Sequence, residues 1–196
     1  MSSLLIFLEL GYDHIIDING LDHVLFVIAI CTTYTLYDWK RVLILITAFT
    51  IGHSLTLALA VLDIMSIDST LVEFLIPITI LITAITNMFN TQNSISKNKS
   101  RAMYVMALVF GLIHGLGFSN YLKTLMGRNS DIVGQLFGFN IGLELGQLII
   151  VLSFLMISFI FTELLRINRR DFKLAFSSAI AGISIMLIIQ NPFLNN

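Results

Sequence analysis

The sequence predicts an all-α protein. The expected architecture is a polytopic membrane helix bundle of six full spans plus a short N-terminal apolar helix, giving six or seven spans. Three observations predict it. The 196 residues are 57% hydrophobic and 12% charged, about half the charge of a typical soluble domain. Mean hydropathy is +0.91. Apolar segments close to the roughly 20 residues needed to cross a bilayer recur along the whole chain. No stretch is long and polar enough to fold apart from them, so residues 1–196 read as one transmembrane helical domain.

The full spans are expected at about 22–38, 41–62, 70–90, 102–122, 132–162 and 172–190. Ahead of them, about 2–18 is apolar but carries Glu9, Asp13 and Asp17, which suits a span or half-span. The first full span opens on Gly20-Leu-Asp-His23, with Gly20 supplying a turn. The second follows Trp39-Lys40-Arg41, an interface anchor. The third holds Pro77, which frees a carbonyl one turn back near Glu73 and predicts a kink. In the fourth, Gly111 and Gly115 make a small-xxx-small pair for close helix packing. The fifth is long enough to tilt or extend beyond the membrane. Its Gly134, Gly138, Gly142 and Gly146 repeat every four residues, while Asn140, Glu144 and Gln147 take the opposite face. That glycine stripe leaves two uses open, packing inside the bundle or a homo-oligomer contact. The sixth follows the basic loop RINRRDFK.

Basic residues set the orientation. Lys40 and Arg41, Lys97, Lys99 and Arg101, and Arg166, Arg169, Arg170 and Lys173 are nine of the eleven. All fall on one side when six spans alternate, and only Lys123 and Arg128 fall on the other. The three basic loops are therefore expected in the cytoplasm. Asp63, Asp68, Asp131 and the Asp13–His23 stretch then face outward.

Other classes are excluded or unsupported. The lone Cys31 rules out an internal disulfide and a CxxC metal site. There is no basic n-region for a cleaved signal peptide, no ATP-binding motif and no sign of nucleic-acid binding. The eight methionines share no face with the histidines and read as apolar filler.

Chemistry gathers around the four histidines. Polar groups at membrane depth are costly and usually functional, and His with Asp or Glu is a ligand set for a borderline divalent cation. His14 and His23 bracket H-I-I-D-I-N-G-L-D-H, with Asp22 beside His23. His53 shares a helical face with Thr50 and Thr56. His114 is set among Gly111, Gly115 and Gly117. Glu73, Thr83 and Asn87 fall on a common face of the third span. Measured from Arg41 and Arg101, His53 and His114 lie on the order of 18–20 Å from the inner surface, at matching depth. The expected metal ligands are His14, Asp22, His23, His53, His114, Glu73, Glu144 and Asn140, in the outer half of the membrane.

These motifs resemble the HupE/UreJ family of bacterial membrane proteins. The resemblance rests on His14 with Gly20-Leu-Asp-His23, and on Thr47-Ala-Phe-Thr-Ile-Gly-His53-Ser-Leu-Thr56. It continues in Phe110-Gly-Leu-Ile-His114-Gly-Leu-Gly-Phe118 and Phe139-Asn-Ile-Gly-Leu-Glu144-Leu-Gly-Gln147. His14 is followed by Ile, where some members read His-Pro. The resemblance implies a nickel or cobalt permease, associated with hydrogenase or urease accessory functions, in the bacterial cytoplasmic (inner) membrane. The cargo expected is a divalent metal ion, Ni²⁺ first, with Zn²⁺ or Co²⁺ as alternatives. Two other readings use the same residues. One is an intramembrane zinc-dependent hydrolase assisted by Ser54 or Glu144. The other is a haem protein with His53 and His114 as paired axial ligands.

Overall fold

A computed structural model describes residues 3–17, 20–65, 67–89, 97–126 and 131–195. Of the basic residues that set the expected orientation, Arg128 lies outside these. Among the described residues there is no strand. Eight α-helices follow in order: α1 (Ser3–Ile16), α2 (Leu21–Cys31), α3 (Trp39–Val61), α4 (Ser69–Phe89), α5 (Lys97–Leu125), α6 (Ile132–Phe159), α7 (Arg169–Ile189) and α8 (Pro192–Asn195). A π-helical turn, Ile160–Leu164, extends α6.

The polytopic helical membrane bundle stands, with a different first span. Among the described residues five helices, α3 to α7, are long and apolar enough to cross a membrane. The expected span at 22–38 is α-helical only over Leu21–Cys31, 11 residues or about 16 Å. It bends by 69° from α1, and the two together pass as one broken span. The chain after Cys31 is shaped by its own side chains. Thr35 and Asp38 form a capping box around a 3₁₀ turn that leads into α3. Asn87 of α4 donates to the Ala29 carbonyl (2.6 Å) and to Thr32 (3.0 Å), and accepts from Thr33 (2.8 Å). At the start of α3, Arg41 pairs with Asp38 and Lys40 lies over the Trp39 ring.

Helix directions choose between six and seven crossings. Along α1 and α6, Leu4 meets Gly138, Leu8 meets Gly142 and Ile15 meets Gly146. Both chains advance together, so the helices are parallel. With α1 and α2 as separate full spans, α1 would be first and α6 sixth, and therefore antiparallel. With α1 and α2 as one crossing, they are first and fifth, and parallel. Three further contacts fit six and seven crossings alike, so the α1–α6 direction decides. Phe49 meets Gly111 and His53 meets Gly115, which makes α3 parallel to α5. The C-terminal ends of α2 and α4 meet through Asn87. Phe193, beyond α7, stacks on Phe74 near the start of α4, which makes α4 and α7 antiparallel.

The glycine stripe of α6 is used within the chain. A Cβ at Gly138, Gly142 or Gly146 would run into α1, at Leu4, Leu8 and Ile15 respectively, and one at Gly134 into the Asp131 carboxylate. A dimer through this stripe would have to displace α1. At 33 residues with its extension, α6 measures about 50 Å, well beyond a hydrocarbon core of about 30 Å. Lys123 pairs with Asp63, so the ends of α5 and α3 share one face of the bundle. Two apolar clusters fill the interior. One gathers Phe26, Phe49 and Phe110, the other Phe7, Ile15, Leu57 and Phe139. The histidines lie between them.

Candidate metal centre

Four helices each deliver one imidazole. His14 is in the last turn of α1 and His23 in the first turn of α2, so the break in the first span brings them together. Gly20 allows it: its N–H donates to the Asp17 carbonyl (3.2 Å) just before α2 begins. The two rings are 4.7 Å apart. His53 and His114 come from the middle of α3 and α5. Gly52, Gly111 and Gly115 bring those two backbones together, since a Cβ at any of them would collide with the opposite helix. His23 stands 5.9 Å from His53 and 5.2 Å from His114, ring centre to ring centre.

One ligand nitrogen each from His14, His23 and His53 lies within 4.8 Å of the others. Three nitrogens at about 2.1 Å from one metal stand about 3.6 Å apart in a plane and about 3.4 Å apart in a tetrahedron. Side-chain rotations of about 1 Å would close the set. The free nitrogens point the same way. His14 Nε2, His23 Nε2, His114 Nε2 and both nitrogens of His53 are buried and have no hydrogen-bond partner among the described residues. Buried polar atoms are nearly always hydrogen-bonded, so five orphans in one cluster mark a place built for something else.

The second ring nitrogens explain the aim of the first. His114 Nδ1–H donates to the Phe110 carbonyl (2.8 Å) one turn back, which leaves Nε2 as the lone-pair end. Asp22 Oδ1 accepts both the backbone N–H (2.9 Å) and Nδ1–H (3.1 Å) of His23. This is the arrangement in which a carboxylate orients a metal-binding histidine from behind. Asp22 was expected as a ligand; here its carboxylate is engaged by the backbone and the ring of His23.

The cluster opens to one side. His14, Asp17, Gly20, Asp22, His23, Glu73 and His114 line a cavity of about 310 Å³ with Ile76, Gly117 and Phe118. A second cavity, of about 700 Å³, shares His14, Asp17 and Phe118 and adds Asp13 and Tyr121. Toward α2's far end the cluster is floored by aromatic rings. Phe49 is 5.1 Å from His114 and 4.8 Å from Phe26, which itself lies 5.4 Å from His114.

A family model described as HupE / UreJ protein matches residues 1–191. The chain belongs to the HupE/UreJ family. Nothing among curated proteins and nothing among solved structures matches it. Membership in HupE/UreJ implies a metal-transport accessory role, and a buried cluster of imidazoles suits that class of cargo.

Not every expected ligand of this HupE/UreJ chain joins the cluster. Glu73 reaches the cavity but is itself exposed. Glu144 lies at the α3–α6 seam, where it accepts from Thr47 (3.1 Å), and it lines neither cavity. Asn140 is half-buried, with an unpartnered Oδ1, and lines neither cavity. Thr83 donates to its own helix at Thr79, and Asn87 is spent on α2. The aromatic walls are the main omission from the sequence reading. The tilted ring of Phe118 lies 3.8 Å from that of His14, centre to centre, and Phe139 lies 5.8 Å from it. A signal was present: Phe49 and Phe110 each precede a histidine by four residues, and Phe118 follows His114 by four, one turn apart on a helix face.

Proposed function

We propose that this protein is a permease for a divalent transition-metal cation, with Ni²⁺ the first cargo to test and Co²⁺ and Zn²⁺ next. It is read as a multi-pass protein of the bacterial cytoplasmic membrane with its basic loops inside. The observation that carries this reading is the set of five unpartnered imidazole nitrogens, from four helices, beside an acid-lined cavity. Carboxylates Asp13, Asp17 and Glu73 raise the local cation concentration at the cavity. Neutral imidazole then replaces water as the ligand. His14, His23 and His53 form the first contact set, with His114 adjacent through His23. Asp22 holds His23 by Nδ1–H and offsets positive charge.

The alternatives draw less support. Ser54 donates to the Thr50 carbonyl of its own helix (2.6 Å), so it is not poised beside a histidine as a hydrolase would need. His23 and Phe49 each lie against both His53 and His114, which fills the plane a porphyrin would take.

Ni²⁺ uptake into proteoliposomes tests the reading. Wild type should accumulate metal well above empty liposomes, and His53→Ala, His23→Ala and His114→Ala should each lose at least about tenfold. Wild-type uptake equal to that of empty liposomes would overturn the permease.

A further inference from the structure

Behind the aromatic floor lies a second group of polar side chains. Thr50, one turn before His53 on α3, donates to Gln147 Oε1 of α6 (2.9 Å). One turn further along α3, Thr47 donates to Glu144 Oε1 (3.1 Å). Thr50 and Gln147 are buried, Gln147 to 1% exposure. Gln147 Nε2 has no hydrogen-bond partner among the described residues. The amide faces a small cavity walled by Phe26, Phe49 and Ile46, and Phe26 and Phe49 are the rings that floor the histidine cluster. A partly buried carboxylate and a buried amide this deep in a bilayer are expensive unless they are used.

We propose that Gln147, Thr50, Glu144 and Thr47 form a second, oxygen-donor station for the cation on the far side of the Phe26–Phe49 floor. The inference rests on the permease reading and extends it inward. The four side chains offer a carboxylate, an amide carbonyl and two hydroxyls. An amide presents either end by a half-turn. Turned over, Nε2–H donates to Thr50 Oγ1, and the carbonyl oxygen is left for a cation. Glu144 supplies negative charge to a cation leaving neutral imidazoles. Oxygen donors hold Ni²⁺ and Co²⁺ less tightly than imidazole does, which suits a station that must release its ion. Thr50 and Thr47 step from His53 toward Lys40 and Arg41 on one helix, at about 4.5 and 9 Å along its axis.

Gln147→Leu, of similar volume, separates this station from the histidine cluster. In detergent-solubilised full-length protein, equilibrium dialysis with Ni²⁺ should give a Kd within about threefold of wild type. In proteoliposomes, the same variant should lose at least about tenfold in the initial rate of Ni²⁺ uptake. Thr50→Val should behave alike, and it carries the test should Gln147→Leu fail to reach the membrane. Wild-type uptake rates in both variants overturn the proposal. So does a parallel loss of binding and uptake, which would assign Gln147 to the histidine site. Absence of uptake by wild type is a different result: it sinks the permease reading itself.

Discussion

Asp22 is the residue whose role the geometry changes most. Its carboxylate accepts two N–H groups from His23 and stands behind the ring. Asp22→Asn keeps an acceptor there but removes the charge. Loss of an outer-shell partner of this kind typically costs 10–100-fold in metal affinity. Ni²⁺ dialysis should show a weakening in that range for Asp22→Asn and a larger one for His23→Ala. Equal losses would make Asp22 a direct ligand after all. At this scale the histidines were legible because an imidazole in an apolar segment stands out against its neighbours. The neighbour of Glu144 was not legible, for a physical reason. Periodicity gives the face a side chain occupies, and loop charges give its depth. Neither says which neighbouring helix that face meets. Glu144 turns to Thr47, two turns along α3 from His53, and not to the imidazole itself.

Pairs of parallel helices are the closely packed elements. α1 lies on α6 and α3 on α5, each seam closed by backbone contact at glycine. Gly142→Val and Gly111→Val each drive a side chain into the backbone of the partner helix. Overpacking a core typically costs 1–3 kcal/mol, and backbone offers less room to yield, so losses of about 3 kcal/mol or more are expected. Gly182 is the control, since a Cβ there meets nothing within 4 Å; Gly182→Ala should be neutral or stabilising. Thermal unfolding in detergent reads all three, and midpoints within 1 °C of wild type (about the scatter of such a measurement) for both valine variants would refute these seams. The glycine spacing announced close packing but not the partner, which is why dimer and bundle stayed open in the sequence. The early end of α2 was hidden by hydropathy, which averages over 32–38 without asking whether the helix continues. Its clue was chemical: Thr35 and Asp38 three apart, a capping box that starts a new helix.

For the whole molecule, the number of crossings is the property that decides where everything lies. The bundle and its membrane class were readable from composition. The count was not, because α1 at 14 residues is too short to span and too apolar to ignore. Its parallel seat on α6 makes the count six. Single cysteines, in a Cys31→Ser background, test this with a membrane-impermeant maleimide. Ser3→Cys should label from the same side as Asp131→Cys, and Arg166→Cys from the other. Ser3→Cys labelling with Arg166→Cys would restore seven crossings. The same seat has a consequence for synthesis. Gly11 packs on Phe139, about 130 residues later, and ribosomes add about 5–20 residues per second. For roughly 6–25 s the nascent α1 has no groove to enter, and the histidine at its end has no wall of Phe139 to rest on. The site at the centre of the bundle is therefore among the last features of the chain to assemble, completed only after the fifth crossing has left the translocon.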